Sequence, residues 1–215
     1  MADVYMYAGL TGDLGFTRAE GSSTYFGVGT ATYVETHSGP LWEGLRLRWE
    51  LENPRVRIEN GFSAIDDKPP TRRRVYQLIH QQAPRLDATL LVKANAYDRV
   101  VSKGPDYVLK WAWLQHIQRI VWDVAEPGDS LHFITASVGT RKQREDLWAS
   151  LYNVCVEQRP EFLHVKVHQW ERGSSWGLQV IDYAMWATSR HEEGLDDTFW
   201  PFIQPHITIE KLWRR

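Results

Sequence analysis

With a single cysteine, Cys155, in 215 residues, the chain cannot close an internal disulfide. A thiol set among Leu151, Val154 and Val156 reads as a buried core residue in a reducing compartment. Excess charge of one sign is also missing: the net charge is −2 and the isoelectric point is about 6.4. Proteins that grip nucleic acid by bulk electrostatics carry a clear basic surplus, so any nucleic-acid contact here must be local. Nor does any apolar run reach the roughly 20 residues that span a bilayer. The opening Met1-Ala2-Asp3-Val4-Tyr5 lacks the pattern of a signal peptide, so no membrane partner and a cytoplasmic location are expected.

Hydrophobic residues at 43% and charged residues at 24% place the chain among globular proteins able to bury a core. No linker-like stretch divides it, so one domain over 1–215 is the default. Eleven tryptophans are many for this length. A buried indole needs a partner for its N–H, so some of them are expected at the surface or at an interface with a partner protein or a second copy.

Patterning supplies the element order. Strands are expected over 4–8 and 25–34, separated by the turn chemistry of Thr11-Gly12-Asp13-Leu14-Gly15. Segment 41–51 fits a helix through Leu41, Trp42, Leu45 and Trp49 and a strand through Leu45, Leu47, Trp49 and Leu51; helix is favoured, ending near Asn53 because Pro54 follows. An extended stretch over 56–62 leads to Asp66 or Asp67 as the cap of a helix holding Pro69 and Pro70 in its first turn and presenting Val75, Leu78 and Ile79. Strand 86–92 has the nearly continuous apolar run of a strand buried on both faces. Helix 105–125 carries Trp111, Leu114, Ile117, Val121 and Val124 at helical spacing, and Pro127-Gly128 stops it. Strand 131–135, helix 140–157, strand 163–167 and helix 177–190 complete the alternation. An antiparallel start followed by strand–helix alternation predicts an α/β fold with a mixed central sheet flanked by helices.

Two segments also carry a resemblance: Tyr5-Met6-Tyr7-Ala8-Gly9-Leu10-Thr11-Gly12-Asp13-Leu14-Gly15-Phe16 near the start, and Leu178-Gln179-Val180-Ile181-Asp182-Tyr183-Ala184-Met185-Trp186-Ala187 near the end. Together they resemble the bacterial family numbered domain of unknown function three thousand eight hundred, whose members are ribonuclease H-like. Between them, Gly61-Phe62-Ser63-Ala64-Ile65-Asp66-Asp67 with Arg72 to Arg74 resembles the family's Phe-His-Ala segment and the arginine-bearing helix after it. The resemblance covers almost the whole chain. It implies a ribonuclease H-like fold and a place in bacterial or phage mobile-element or defence biology.

What it implies for chemistry is set by the departures. The family's opening Asp-Glu is Gly9-Leu10 here, its middle His is Ser63, and the acidic position at the end of strand 131–135 holds Ala136-Ser137. Only Asp182 stands in place. Ribonuclease H-like catalysis uses two Mg²⁺ or Mn²⁺ ions roughly 3.5–4 Å apart, and such hard cations need several carboxylate oxygens. Asp182 alone does not supply them. A degenerate domain that binds nucleic acid or protein is therefore the leading expectation. An active nuclease rebuilt from Asp13, Asp182 and Asp66 or Asp67, with Mg or Mn, is the alternative, and a structural, oligomerising component is a third. Asp13 within Thr-Gly-Asp-Leu-Gly also reads as a turn-forming Asx residue.

Other constellations are weaker. Gly139, Thr140, Arg141, Lys142 and Arg144 run from a strand end into a helix start, where free N–H groups and basic side chains can hold a phosphate, and an ordinary solvated helix start fits the same residues. Arg72-Arg73-Arg74 points in several directions and reads as a solvated face. His164 and His168 lie on one strand face but, at ~3.3 Å rise per residue, too far apart to share an ion easily. Trp200-Pro201-Phe202-Ile203 reads as packing within the chain.

Overall fold

The computed structural model describes residues 2–16, 22–34, 37–137, 141–158 and 164–213, the side chains of 143, 144 and 158 excepted. In chain order the elements are β1 (Asp3–Thr11), β2 (Tyr25–Val34), α1 (Ser38–Leu51), α2 (Pro69–Gln82), β3 (Arg85–Val92), α3 (Asp98–Val101), α4 (Pro105–Val124), β4 (Ser130–Ala136), α5 (Arg141–Gln158), β5 (His164–Trp170), α6 (Trp176–Glu192), α7 (Trp200–Ile203) and β6 (Ile207–Leu212). The strands form one six-stranded sheet in the order β5-β4-β1-β2-β3-β6. β2 pairs antiparallel with β1 and β3, and every other pairing is parallel. This is the α/β arrangement expected, antiparallel at its start and then parallel, flanked by helices and consistent with a ribonuclease H-like fold. Among the described residues no helix is long and apolar enough to cross a membrane.

Alternation along the strands sends side chains to two cores. On one face Tyr7, Ala31, Ala88, Leu90 and Ile134 pack under α1, α2, α6 and α7. On the other, Met6, Val28, Leu91, Leu131 and Phe133 meet α4 and α5. Cys155 is wholly buried in that second core, where desolvation pushes its thiol up to about 12.

The approach of α6 is unusually close, and glycines permit it. A Cβ on Gly177 would lie 2.4 Å from the Tyr7 ring, one on Gly9 2.9 Å from Ile181, and one on Gly29 2.4 Å from Met185 Sδ. Gly9 and Gly29 are cross-strand partners, so together they form a floor without side chains that α6 lies across. Outside it, Gly44 of α1 rests on the Trp176 ring, where a Cβ would stand at 2.2 Å.

Several expectations change in the tertiary context. The stretch 56–62 is a looped segment, bridged only between Asn53 and Val56, and it is held down by buried Ile58 and Phe62. Lys68, not Asp66 or Asp67, is the N-cap of α2; both aspartates turn back to Ser63. The buried face of α4 is Val108, Ala112, Trp113, His116, Ile117, Ile120 and Val121, so Trp111, Leu114 and Val124 fall on its flanks. Trp111 stacks on Trp213, which follows β6, a strand the sequence reading does not contain. The apolar run of β3 conceals Asp87, fully buried beside Arg85 at 2.8 Å and Arg119 at 3.6 Å.

On the same face His116 is fully buried, with Nε2 3.1 Å from Thr30 Oγ1 and Nδ1 2.9 Å from Thr89 Oγ1. Burial, and then the Arg119 charge, holds the imidazole well below its ordinary pKa of about 6.5. The unfolded chain therefore takes up a proton below pH 6.5 that folded His116 refuses. Stability is expected to fall as pH drops through that value, by up to about 1.4 kcal/mol per pH unit, with the lowered His37, His168 and His206 adding in the same direction. Urea denaturation at pH 7.5 and 5.5 checks this, and equal midpoints would refute it. Gly29→Ala is expected to cost about 1–3 kcal/mol by overpacking against Met185, lowering the melting temperature by several degrees. Gly39→Ala, in helix α1 and with a Cβ that meets nothing within 4 Å, is expected not to lower the melting temperature.

Candidate functional site

The ends of β1 and β4 and the middle of α6 are where the resemblance places an acidic centre. Gly9 and Leu10 are successive strand residues and point to opposite faces. Gly9 lies under Ile181, and Leu10 stands half-exposed on the other side of the sheet. Any side chain at position 9 would enter the volume that Ile181 fills. Ala136 packs at the edge of the α6-side core, and Ser137 donates its N–H to Trp170 O at 2.9 Å.

Asp182 is one residue further along α6 and is already engaged. Its Oδ2 accepts the Ala64 N–H at 3.0 Å, and Oδ1 faces Arg172 Nη1 at 3.5 Å. Burial, the largest influence, raises its pKa. The Ala64 N–H and Arg172 pull it down, and the charges of Asp66 and Asp67 add to the rise. The Gly61–Asp67 segment is thus folded over Asp182. Within it Ser63 Oγ donates to Asp66 at 2.8 Å, Ser63 N–H donates to Asp67 at 2.9 Å, and Tyr183 donates its hydroxyl to Asp67. Every carboxylate of this cluster is thereby bonded to the chain itself.

Asp13 is in a different neighbourhood. Its Oδ1 accepts the Gly15 N–H at 2.7 Å, the Asx geometry, while Oδ2 accepts Ser23 N–H and Oγ at 2.8 and 2.7 Å. Lys93 Nζ sits 2.8 Å away and is the main reason the carboxyl stays far below its usual range, with Ser23 and Gly15 assisting. Asp13 therefore ties Gly15 to Ser23, and among the described residues it shares no hydrogen-bond partner with Asp182.

The residues present do not fit a two-metal centre: position 9 is closed by packing, and the remaining acid is bonded to a backbone amide and an arginine. Among the described residues no group of three or more His, Cys, Asp or Glu is placed to hold an ion. Of the anticipated anion-binding residues, Gly139 and Thr140 and the side chain of Arg144 lie outside the described residues. Arg141 is paired with Glu145 at 2.8 Å, largely exposed, and Lys142 is exposed.

The structure brings together one group that the sequence reading does not. His168 meets His132 of the neighbouring strand β4, Nε2 to Nδ1 at 3.3 Å, and not His164. The rings of His37, Tyr5, His132 and His168 follow one another at centroid spacings of 3.8, 4.8 and 5.5 Å. Asp3 Oδ1 lies 3.1 Å from His132 Nε2. A proton on Nε2 therefore donates to Asp3 and leaves Nδ1 to accept from His168. Strand register makes this row, which no one-strand spacing rule detects; the signal available was a histidine on each of two adjacent parallel strands.

Gln179 ties the loops around Asp182 together. It accepts the buried Phe62 N–H at 3.0 Å and donates to Arg172 O at 3.0 Å. Gln179→Ala leaves the buried Phe62 N–H without its partner, while Arg172 O keeps the Ser175 N–H at 3.1 Å, and is expected to cost about 1–3 kcal/mol in a urea melt. A cost below measurement error would show that the two loops are held by other contacts. Compared with known proteins, the chain matches no family model, and no curated protein matches it in sequence.

Proposed function

We propose that this chain is a ribonuclease H-like domain that does not assemble a two-metal nuclease centre and works by binding a nucleic acid or protein partner. The observation that carries the reading is the contact of Ile181 with Gly9, which fills the place an opening carboxylate would need. The pairing of Asp182 with Arg172 supports it, since a guanidinium facing the carboxylate repels a metal cation. The resemblance set out above supports a role in bacterial or phage mobile-element or defence biology, and the lone buried Cys155 supports a reducing, cytoplasmic setting.

Labelled RNA, DNA and RNA–DNA hybrid incubated with the protein and Mg²⁺ or Mn²⁺, beside Asp182→Asn, test the reading. Both proteins are expected to leave all three substrates intact. Cleavage by the wild type that Asp182→Asn abolishes would establish a rebuilt catalytic site and overturn it.

A further inference from the structure

The apolar periodicity that makes α1 a helix is on its outer side. Gly44 and Leu47 face the core, whereas Trp42, Leu45 and Trp49 are 58%, 38% and 57% exposed. The two indoles meet edge to face, with centroids 5.4 Å apart, over one side of the helix. Beside this stripe runs a groove of about 1070 Å³ between α1 and the turn at Glu171–Ser174, with Leu41, Trp42 and Leu45 on one wall and Trp176 lining it. An exposed aromatic stripe flanking a concave surface is the composition of a protein-binding hot spot.

Charge narrows the occupant. The groove's two arginines are compensated from within: Arg48 donates to Gly173 O and Glu59 O and faces Glu52 at 3.8 Å, and Arg172 faces Asp182 at 3.5 Å. Of its two carboxylates, Glu59 meets Arg57 at 3.8 Å, the separation at which Arg48 meets Glu52, whereas among the described residues Glu171 has no ion pair. The surplus is negative, which disfavours a phosphate backbone and favours a cationic side chain. Size narrows it further. Aromatic side chains bury 150–250 Å² when fully covered, so the half-exposed stripe offers roughly 300 Å², well short of the ~800 Å² per partner of a stable interface between folded proteins. A second copy seated on the stripe alone would be under-buried, whereas a chain segment can also fill the groove.

We propose that the groove beside α1 receives a short peptide segment of a partner protein, its apolar side chains against Trp42, Leu45 and Trp176 and a lysine or arginine toward Glu171. This names the partner class of the binding domain proposed above and rests on that reading, but the two fail separately, one by cleavage and the other by peptide affinity.

The test is fluorescence anisotropy on the full chain with synthetic peptides alternating leucine with lysine, leucine with glutamate, and serine with lysine. The leucine–lysine peptide is expected to bind about tenfold tighter than either control, and Trp42→Ala to lower its affinity about tenfold at an unchanged melting temperature. Glu171→Lys is expected to reverse the preference toward the leucine–glutamate peptide. Absent binding, equal binding of the serine–lysine peptide, or indifference to Trp42→Ala would overturn the proposal. A thymidine oligonucleotide whose binding is lost in Trp42→Ala, or self-association lost in that variant, would overturn it in favour of nucleic acid or a second copy.

Discussion

The close seating of α6 on the sheet is the contact from which the rest of the α1 side follows. Ile181 reaches the backbone of β1 because position 9 has no side chain, and Met185 reaches that of β2 because position 29 has none. A helix this near the strands brings Trp176 to the level where Gly44 of α1 can rest on it. It also brings Gln179 and Asp182 within reach of the 61–67 segment. Dense packing of this kind forfeits dispersion energy as soon as an atom is added or displaced. The same contact leaves no room for a side chain at position 9.

The opposite face solves a different problem. Its strands bury Thr30, Asp87 and Thr89, and the cost of polar groups away from water is met by His116, Arg85 and Arg119. A neutral imidazole suits the two threonine hydroxyls because one ring nitrogen donates and the other accepts. That network links β2, β3 and α4 at the centre of the sheet, where a slip of register would leave every member unpaired.

The surface carries what neither core uses. α1 buries Gly44 and Leu47 in the core, packs Leu41 and Leu51 against its edge, and turns two tryptophans outward. The groove's arginines are held by the chain's own carbonyls and carboxylates, leaving Glu171 to set the sign of its field.

Hydrophobic period and turn chemistry are local, so the amino-acid sequence by itself determined the order of most strands and helices, the mixed α/β class, the burial of Cys155, the Asx role of Asp13 and the lack of acids at positions 9 and 10. Periodicity names a helix but not which side faces inward: Trp42, Leu45 and Trp49 marked α1 as helical yet face out, and Trp111 and Leu114 of α4 fall at the flank of the buried side. Asp66 and Asp67 looked like caps because the nearest amide in sequence was the helix's own, whereas Ser63 and Tyr183 are nearer in space. The pairing of His132 with His168, the cover over Asp182, the seat of Ile181 on Gly9 and the groove beside α1 were decided only by tertiary structure. Each depends on strand register or on how closely two elements approach, and those distances arise from residues far apart in the chain.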